Sequence, residues 1–466
     1  MDSRSLQYIA EACGGELLSG EPDRGVNRVC TDSRHVRPGD LFVALAGDRF
    51  DAHEFLEAVD REGVAAVVVE RNKVPGDGLQ CARIEVENTR VALGRLAAAY
   101  RTDFTLPVIA VGGSNGKTTT KELLAAVLST RFHALWNEAS YNNDIGVPLT
   151  LLRLEKKHEA AVLEVGTNHP GELAPLMRMV AAGLGVVTSL GREHLEHFGD
   201  MQGVVAEEGW VVEGLAEGGT CFVNGDTPWT RALVARARGR MVHVGFGPEN
   251  DWRITGVNWG NEGTEFQVST PYDVFDGTYF TRLLGRHQAV NATLAMAVAA
   301  ELGVTPSEVA AGLKSCVPAR HRLEVCRIDG ITLLDDSYNA NADSVLAALK
   351  VLESFPCDGR RIAVLGDMAE LGAHAGGAHE EVGQRVADSK VDSLVTIGRM
   401  SEMTAGAARA AGVIEVREFA DVPEASQYLK SSLREGDVVL LKASRAARLE
   451  RLIELLREAT PVAGPG

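Results

Sequence analysis

The sequence lacks the features that would direct it to a membrane or a secretory route. No uncharged apolar run in its 466 residues approaches the roughly 18 residues that a membrane-spanning helix needs. The N-terminal stretch MDSRSLQYIAEACGGE carries charges where a secretory signal has an apolar segment. We therefore expect a cytoplasmic protein that does not insert into a membrane.

Paired cysteines and basic blocks are also missing. The seven cysteines are scattered and form no Cys-x-x-Cys pair, so neither a disulfide framework nor a zinc ribbon is indicated. The chain has 47 basic and 64 acidic residues, a formal charge of −17, and no Lys/Arg-rich block. This balance argues against nucleic acid or an anionic membrane as the main partner. A polyanionic substrate would need local positive charge.

Short apolar runs alternate with amphipathic helical patterns along the whole chain, which predicts an α/β fold. The pattern divides into three blocks, at residues 1–104, 105–318 and 319–466. The first is a small α/β domain, the second has a mainly parallel sheet covered on both faces, and the third is a second doubly wound sheet. Turn residues at short intervals predict a β-rich insertion at 236–280.

The stretch VGGSNGKTTT (111–120) joins a predicted strand to a predicted helix. Strict P-loop spacing requires glycine at 111, where this chain has Val111. Glycines allow backbone N–H groups to approach phosphate oxygens, Lys117 offers charge to the outer phosphates, and the Thr118 hydroxyl can reach Mg²⁺ at the helix start. The alternative is a glycine-rich turn with an incidental Lys-Thr, but the order of strand, loop and helix favours a nucleotide site.

Polar residues at the ends of other apolar runs are further candidates. Glu164 and His194 each end such a run, where doubly wound sheets gather their sites; either residue is otherwise an ordinary surface side chain. SYNNDIGVPLTLL (140–152) is a substrate loop or a helix-capping turn. The stretch LLDDSYNANADS (333–344) is either a binding segment for a ribose or a peptide, or an Asx-rich turn. The stretch TDSRHVRPGD (31–40) is either a diphosphate-binding segment or a solvated loop.

Together these stretches resemble the Mur ligase family of cytoplasmic peptidoglycan synthesis, across almost the whole chain. GSNGKTTTKE is similar to that family's P-loop, G-S/T-N-G-K-T/S, which also lacks the first glycine of the strict motif. Gly112 stands where threonine is usual, which we expect to be tolerated because the backbone binds the phosphates. The resemblance implies an N-terminal UDP-substrate-binding domain, a central P-loop ATPase domain and a C-terminal Rossmann-like domain.

Within the family, DDSYNAN, LGDMAELG with His379 following, and NNDIGVPLTLL are similar to the enzyme that adds D-alanyl-D-alanine to UDP-N-acetylmuramoyl-tripeptide. An Asp-Asn-Pro-Arg motif and a DYAHTPD-like segment, expected of the tripeptide-forming member, are absent. The resemblance implies ATP and Mg²⁺ as cofactors and an acyl phosphate that the incoming amine attacks. We expect a monomer; the third residue of the tripeptide, lysine or diaminopimelate, stays open.

The resemblance also implies residue roles, carried over position by position. ATP binding is implied for Gly112, Gly113, Ser114, Asn115, Gly116, Lys117, Thr118, Thr119, Asn291, Arg322 and Asp336. Catalytic roles are implied for Lys117, Glu164 and His194, with Thr118, Glu164 and His194 serving Mg²⁺ directly or through water. Substrate contacts are expected at Thr31, Asp32, Ser33, Arg34, Asn142, Asn143, Asn339 and Asn341. Ala342 and Ala52 replace a usual proline and glycine in these motifs.

Glu208 is a departure from the family pattern. Many Mur ligases carry, after the metal-binding histidine, a lysine that reacts with CO₂ to give a carbamate that helps to hold a second Mg²⁺. In GVVAEEGWVVEGL (203–215), Glu208 aligns with that lysine. Because Mg²⁺ prefers hard oxygen donors, we expect Glu208 to ligate it without carbamylation. The alternative is that Glu207 and Glu208 are solvated helix charges.

Two other functions stay open at this point. Another ligase of the same superfamily, such as a folylpolyglutamate synthase, would use the same chemistry on a different acceptor. A nucleotide-switched binding protein would hydrolyse ATP without ligating anything. The two α/β blocks beside the nucleotide block argue against a simple switch.

Overall fold

The structure, a computed structural model, describes residues 1–47, 50–73 and 78–458. Residues 459–466, the end of the third predicted domain, lie outside the described residues. The described chain forms a five-stranded, a nine-stranded and a six-stranded sheet, with one small two-stranded ribbon. The strands of each large sheet fall within one of the three predicted blocks, and the predicted α/β fold is confirmed. The boundaries after residues 104 and 318 stay predictions.

The N-terminal sheet is small and mostly parallel. In spatial order its strands are Glu16–Ser19, Ala82–Val86, Ala66–Glu70, Leu41–Val43 and Val29–Cys30. Only its first pair is antiparallel. The ribbon pairs Arg4–Ser5 with Gly25–Val26. The helices are Leu6–Cys13, Leu56–Arg61 and Thr89–Arg101, with a short 3₁₀ turn at Ala52–Phe55.

The helix Thr89–Arg101 joins the first two domains. Asn88 caps its start by accepting a hydrogen bond from the Val91 amide at 2.9 Å, as polar N-caps do. Its apolar residues recur at helical spacing and pack against the helices Gly146–Leu151 and Leu173–Val180 of the next domain. The Tyr100 hydroxyl donates to the Leu154 carbonyl at 2.6 Å. The N-terminal domain is thereby fixed beside the nucleotide domain.

The central sheet has nine strands. In spatial order they are Gly277–Thr281, Gly263–Ser269, Trp252–Gly260, Arg240–Gly245, Thr220–Asn224, Leu184–Val187, Val108–Gly112, Ala160–Glu164 and Ala134–Trp136. The second strand, Gly263–Ser269, pairs antiparallel with both of its neighbours, and the other adjacent pairs are parallel. Residues 236–280 are β-rich as predicted, and they extend this same sheet.

Helices cover both faces of the central sheet, which explains why its strands are nearly continuous apolar runs. They are Lys117–Leu128, Gly146–Leu151, Leu173–Val180, Leu195–Phe198, Met201–Glu208, Trp210–Glu213, Thr230–Val234, Arg286–Glu301 and Pro306–Ser315. Arg286–Glu301 is buried along most of its length and packs on Lys117–Leu128. The buried apolar residues of the two faces form separate clusters on either side of the sheet.

The C-terminal sheet has one antiparallel edge strand on an otherwise parallel sheet. In spatial order its strands are Glu324–Ile328, Ile331–Asp335, Val438–Lys442, Arg361–Gly366, Ser393–Ile397 and Glu415–Phe419. The helices are Ala342–Ser354, Ala375–Asp388, Ser401–Ala410, Val422–Ser432 and Arg451–Glu458. In the described part of the chain, no helix combines the length and apolar character that crossing a membrane requires.

Candidate active site between the three domains

A large cavity of about 1020 Å³ lies where the three domains meet. Its lining includes Arg90 from the N-terminal domain, residues 114–119 and His194 from the central domain, and Arg322 from the C-terminal domain. Arg90 pairs with Asp144 of the central domain across the cavity rim. The site is therefore composite, since no single domain supplies its walls.

The P-loop connects the buried strand Val108–Gly112 to the helix Lys117–Leu128. Gly113 and Gly116 have φ values of 111° and 92°, which favour glycine. A Cβ at Gly113 would lie 2.5 Å from Thr188 Oγ1, and one at Gly116 would lie 2.8 Å from Asn291 Oδ1. No side chain caps the first amides of the helix. The amides of Gly113, Ser114 and Asn115 are hydrogen-bonded within the protein, so the amides available to an anion are those at the start of the helix.

Lys117 lies inside this loop and is surrounded by carboxylates. Its Nζ donates to the Gly113 carbonyl, to the Ser114 carbonyl at 3.3 Å, and to Glu193 Oε2 at 3.4 Å. Burial alone would lower the pKa of Lys117, but Glu193, Glu208 and the nearby Glu164 outweigh it and raise the pKa. The lysine is therefore a fixed positive charge next to the phosphate-binding amides.

Glu164 and His194 both line the cavity, as the sequence predicts. Glu164 is 1% exposed at the end of its strand, and its Oε1 accepts a hydrogen bond from Asn142 at 2.8 Å. Its Oε2 is buried without a partner, as is Oε1 of Glu193. Buried carboxylate oxygens without partners are costly. Thr118 lines the same cavity, so a hydroxyl and two carboxylates, oxygen donors of the kind that Mg²⁺ prefers, face one space.

Glu208 lies behind the P-loop and outside the cavity lining. Its Oε2 accepts a hydrogen bond from the Gly113 amide at 2.6 Å, and its Oε1 has no partner. Burial raises the pKa of this carboxyl, against the opposing charge of Lys117. Glu207 accepts from the Gly171 and Leu173 amides at 2.9 and 2.8 Å. The alternative prediction of solvated helix charges is therefore wrong, because both side chains are buried.

The segment 140–152 forms the turn before the helix Gly146–Leu151, and part of it lines the cavity. Asn143 Oδ1 accepts from the Gly146 amide at 2.9 Å and caps the helix Gly146–Leu151, whereas Asn142 points to Glu164. Lys121 holds the residues directly before this segment. Its fully buried Nζ donates to the carbonyls of Asn137 and Ala139 at 2.8 and 2.9 Å. We call residues 137–146 the acceptor loop.

The C-terminal domain reaches the P-loop directly. Arg322 Nη2 donates to Thr118 Oγ1 at 3.0 Å, and its guanidinium lies 4.3 Å from the centre of the Tyr338 ring, a cation–π contact. Asn341 donates to Asn115 Oδ1 at 3.0 Å. Asn341 also caps the helix Ala342–Ser354 through the Ser344 amide at 2.8 Å. The Asx-turn interpretation therefore describes Asn341, whose side chain also links the C-terminal domain to the P-loop.

Asp336 and Asn339 also line the cavity, and they are held by a residue that the sequence analysis missed. Lys442 Nζ contacts Asp336 Oδ2 at 2.5 Å and the Asn339 carbonyl at 3.1 Å. Lys442 is 3% exposed and ends the strand Val438–Lys442. Its place directly after an apolar run is the signal that could have revealed it.

Asn291 also lines the cavity, 6% exposed. Its Nδ2 donates to Gln288 Oε1 at 2.9 Å. The adjacent His287 was not predicted; burial lowers its pKa to about 4, which keeps the imidazole neutral. Asn291, Gln288 and His287 thus line the cavity with uncharged polar side chains.

The predicted UDP-contacting residues lie apart from this cavity. They are Thr31, Asp32, Ser33 and Arg34. Asp32 pairs with Arg34 at 2.7 Å, and hydrogen bonds from Arg34 hold the pKa of Asp32 below its usual range. Arg34 is 81% exposed and keeps donors free for an anion. The structure therefore does not join this segment to the nucleotide cavity.

Comparison with known proteins agrees with this geometry. Residues 111–299 match the Mur ligase middle domain and residues 321–445 the Mur ligase glutamate ligase domain. Residues 25–101 match the catalytic domain of the Mur ligase family. The chain belongs to the Mur ligase family.

Its relatives include particular enzymes of that family. The chain is 35% identical to UDP-N-acetylmuramoyl-tripeptide–D-alanyl-D-alanine ligase of Bacillus subtilis, covering 98% of this chain and 99% of the relative. The structure of MurF from Acinetobacter baumannii superposes with a TM-score of 0.89 at 31% identity, over 98% of this chain and 99% of that one. MurF ligase from Thermotoga maritima in complex with ADP gives a TM-score of 0.81 at 28% identity, over 93% and 97%.

Proposed function

We propose that this chain joins D-alanyl-D-alanine to UDP-N-acetylmuramoyl-tripeptide at the expense of ATP, in the cytoplasmic synthesis of peptidoglycan precursors. The observation that carries the proposal is the composite cavity, in which a P-loop of one domain faces Arg322 and Asn341 of another. The full-length similarity to enzymes named for this reaction supports the same substrates.

The chemistry needs activation because a free carboxylate is a poor electrophile. A carboxylate oxygen of the peptide attacks the γ-phosphorus of ATP, ADP leaves, and an acyl phosphate forms. The dipeptide amine then attacks the carbonyl carbon, a proton is lost from nitrogen, and the tetrahedral intermediate expels phosphate. Lys117 and Arg322 neutralise charge on the transferring phosphoryl group, and the C-terminal domain keeps water from the acyl phosphate.

We propose that Thr118, Glu164 and His194 hold Mg²⁺ directly or through water. This set is supported by the buried Glu164 Oε2, which has no partner among the described residues, and by the shared cavity that Thr118, Glu164 and His194 line. When bound, Mg²⁺ neutralises phosphate charge during transfer. Asn142 orients Glu164 through its hydrogen bond at 2.8 Å. Asn142, Asn143, Asn339 and Asn341 are proposed to contact the peptide and the dipeptide.

Glu208 remains a proposed permanent substitute for a carbamylated lysine. Its unpartnered Oε1 supports a cation nearby, reached through water because the side chain lies behind the P-loop. Ligation should then be independent of dissolved CO₂, and Glu208→Gln should raise the Mg²⁺ requirement. Activity that disappears when bicarbonate is stripped and returns on its addition would contradict this role.

The N-terminal domain is proposed to bind the UDP end of the substrate through Thr31, Asp32, Ser33 and Arg34, with the chain acting as a monomer. The exposed guanidinium of Arg34 supports diphosphate binding. Arg34→Ala should then raise the KM for the UDP-linked substrate and leave the KM for ATP unchanged.

The test of the function is phosphate release with UDP-linked tripeptides carrying lysine or diaminopimelate, with and without D-alanyl-D-alanine. Release that requires both acceptor and dipeptide is expected. Turnover with a folate acceptor would favour a folylpolyglutamate synthase, and ATP hydrolysis indifferent to every acceptor would favour a nucleotide switch.

A further inference from the structure

Two strained residues face each other across the boundary between the central and C-terminal domains. His194 has φ 49° and Glu370 has φ 62°. Left-handed backbone is unfavourable for residues other than glycine, and such strain gathers at functional sites. Both residues also line the cavity. Two of the strained residues that line the cavity are therefore in contact with each other.

The contact between them is made by side chain and backbone together. Glu370 Oε2 lies 2.5 Å from His194 Nδ1, and the Glu370 carbonyl accepts a hydrogen bond from the Glu196 amide at 3.0 Å. Nδ1 is buried and, in the described part of the chain, has no hydrogen bond of good geometry, so the close approach of Glu370 Oε2 is an ionic contact. The other ring nitrogen, Nε2, lies 4.0 Å from Glu193 Oε2, which leaves it open towards the cavity.

We propose that Glu370 is a positioning residue, supplied by the C-terminal domain, that holds His194 Nδ1 and thereby presents Nε2 to a divalent cation beside Thr118 and Glu164. Metal-binding histidines commonly donate their second N–H to a carboxylate, which fixes the tautomer and the ring orientation. This inference rests on the proposed function. It adds that the cation site of the central domain is complete only when the C-terminal domain is docked.

A second ionic contact between the same domains provides a matched control. Arg192 of the central domain contacts Glu381 at 2.5 Å and Asp343 at 2.7 Å. Glu381 and Glu370 are both partly exposed glutamates of the C-terminal domain, but Glu381 is absent from the cavity lining. If Glu370 only supported domain docking, its replacement should have the same effect on cation binding as the replacement of Glu381.

The experiment measures Mn²⁺ binding by electron paramagnetic resonance, using the full chain with a non-hydrolysable ATP analogue. Glu370→Ala should weaken Mn²⁺ binding by about 10- to 100-fold, the range seen when a partner of a metal ligand is removed. Glu381→Ala should change it by less than about twofold, because Arg192 keeps its contact with Asp343 and the C-terminal domain stays docked. Glu370→Gln should recover part of the affinity, because its amide oxygen can still accept from Nδ1.

Three results would overturn the inference: unchanged Mn²⁺ affinity in Glu370→Ala, an equal loss in Glu381→Ala, or no recovery in Glu370→Gln. Binding of the analogue without a divalent cation checks that each variant keeps its fold. Failure of the proposed function is distinguishable, because it would appear as a lack of acceptor-dependent phosphate release in the unaltered protein, whatever the Mn²⁺ affinities of the variants.

Discussion

Replacing Lys121 by methionine should loosen the acceptor loop without disturbing the P-loop next to it. Lys121 is fully buried, and its Nζ serves the carbonyls of Asn137 and Ala139 as well as the Glu122 carboxylate. Methionine has a similar length but donates no hydrogen bond. The change therefore leaves two carbonyls at the base of the loop without their donor.

The size of the effect follows from these contacts. A hydrogen bond involving a charged group contributes about 1.5–3 kcal/mol, and a buried group left unpaired costs about 1–3 kcal/mol. Part of this is offset because burying the ammonium is itself costly. We expect a net loss of about 3 kcal/mol, which corresponds to roughly 100-fold easier opening of the loop.

Hydrogen exchange of the amides in residues 137–147 measures this opening directly. Exchange at Gly146 and Val147, whose amides bond to Asn143, should accelerate by about the same factor if opening limits exchange. Lys314→Met makes the same chemical change at an exposed helix position and should leave exchange unaltered. Unchanged exchange in Lys121→Met would refute the argument that this buried lysine holds the loop.

Three further changes test other parts of the site and fold. Lys117→Ala should reduce ligation by about 100-fold or more, because the charge that stabilises the transferring phosphoryl group is lost; near-normal turnover would exclude the P-loop assignment. Arg192→Ala removes the ionic contacts of the docked C-terminal domain, so small-angle scattering should give a larger radius of gyration, and an unchanged radius would count against their role in docking. Burial alone would raise the pKa of Asp437, but Arg360 outweighs it and holds the pKa below its usual value. A carboxyl whose pKa is lower in the folded state stabilises the fold above about pH 4, and this stability is lost as the pH falls through the folded-state pKa. Asp437→Asn should therefore unfold more easily at neutral pH and lose less stability between about pH 5 and pH 3, as urea unfolding at each pH would measure.

The P-loop is predictable from the sequence because its parts are local. Strand, glycine turn and helix follow one another within residues 108–128, so neighbouring residues alone define the phosphate-binding amides. Glu164 and His194 are predictable for a related reason, since the carboxyl ends of parallel strands meet at one edge of a sheet. These predictions needed only the order of the elements.

Residues whose role depends on distant partners could not be found in this way. Glu370 acquires its partner from another domain, and Glu193 reaches Lys117 from the loop after the strand Leu184–Val187. Glu208 illustrates the same limit, because its hydrogen-bond partner Gly113 lies 95 positions away. A carboxylate on a helix looks solvated in the sequence until tertiary packing buries it.

The order of strands in the central sheet has a consequence for how the chain is synthesised and folded. The first four strands of that domain, beginning with Val108–Gly112, form one side of the sheet, and each later strand is added in chain order at the other edge. The half that carries the P-loop can therefore assemble while the rest of the domain is still on the ribosome. Until the hairpin ending at Gly277–Thr281 has been made, the growing edge is open to pairing with other chains. Nascent chains that stop after the P-loop half of the sheet but before the strand Gly277–Thr281 should be the form of this protein most prone to aggregate.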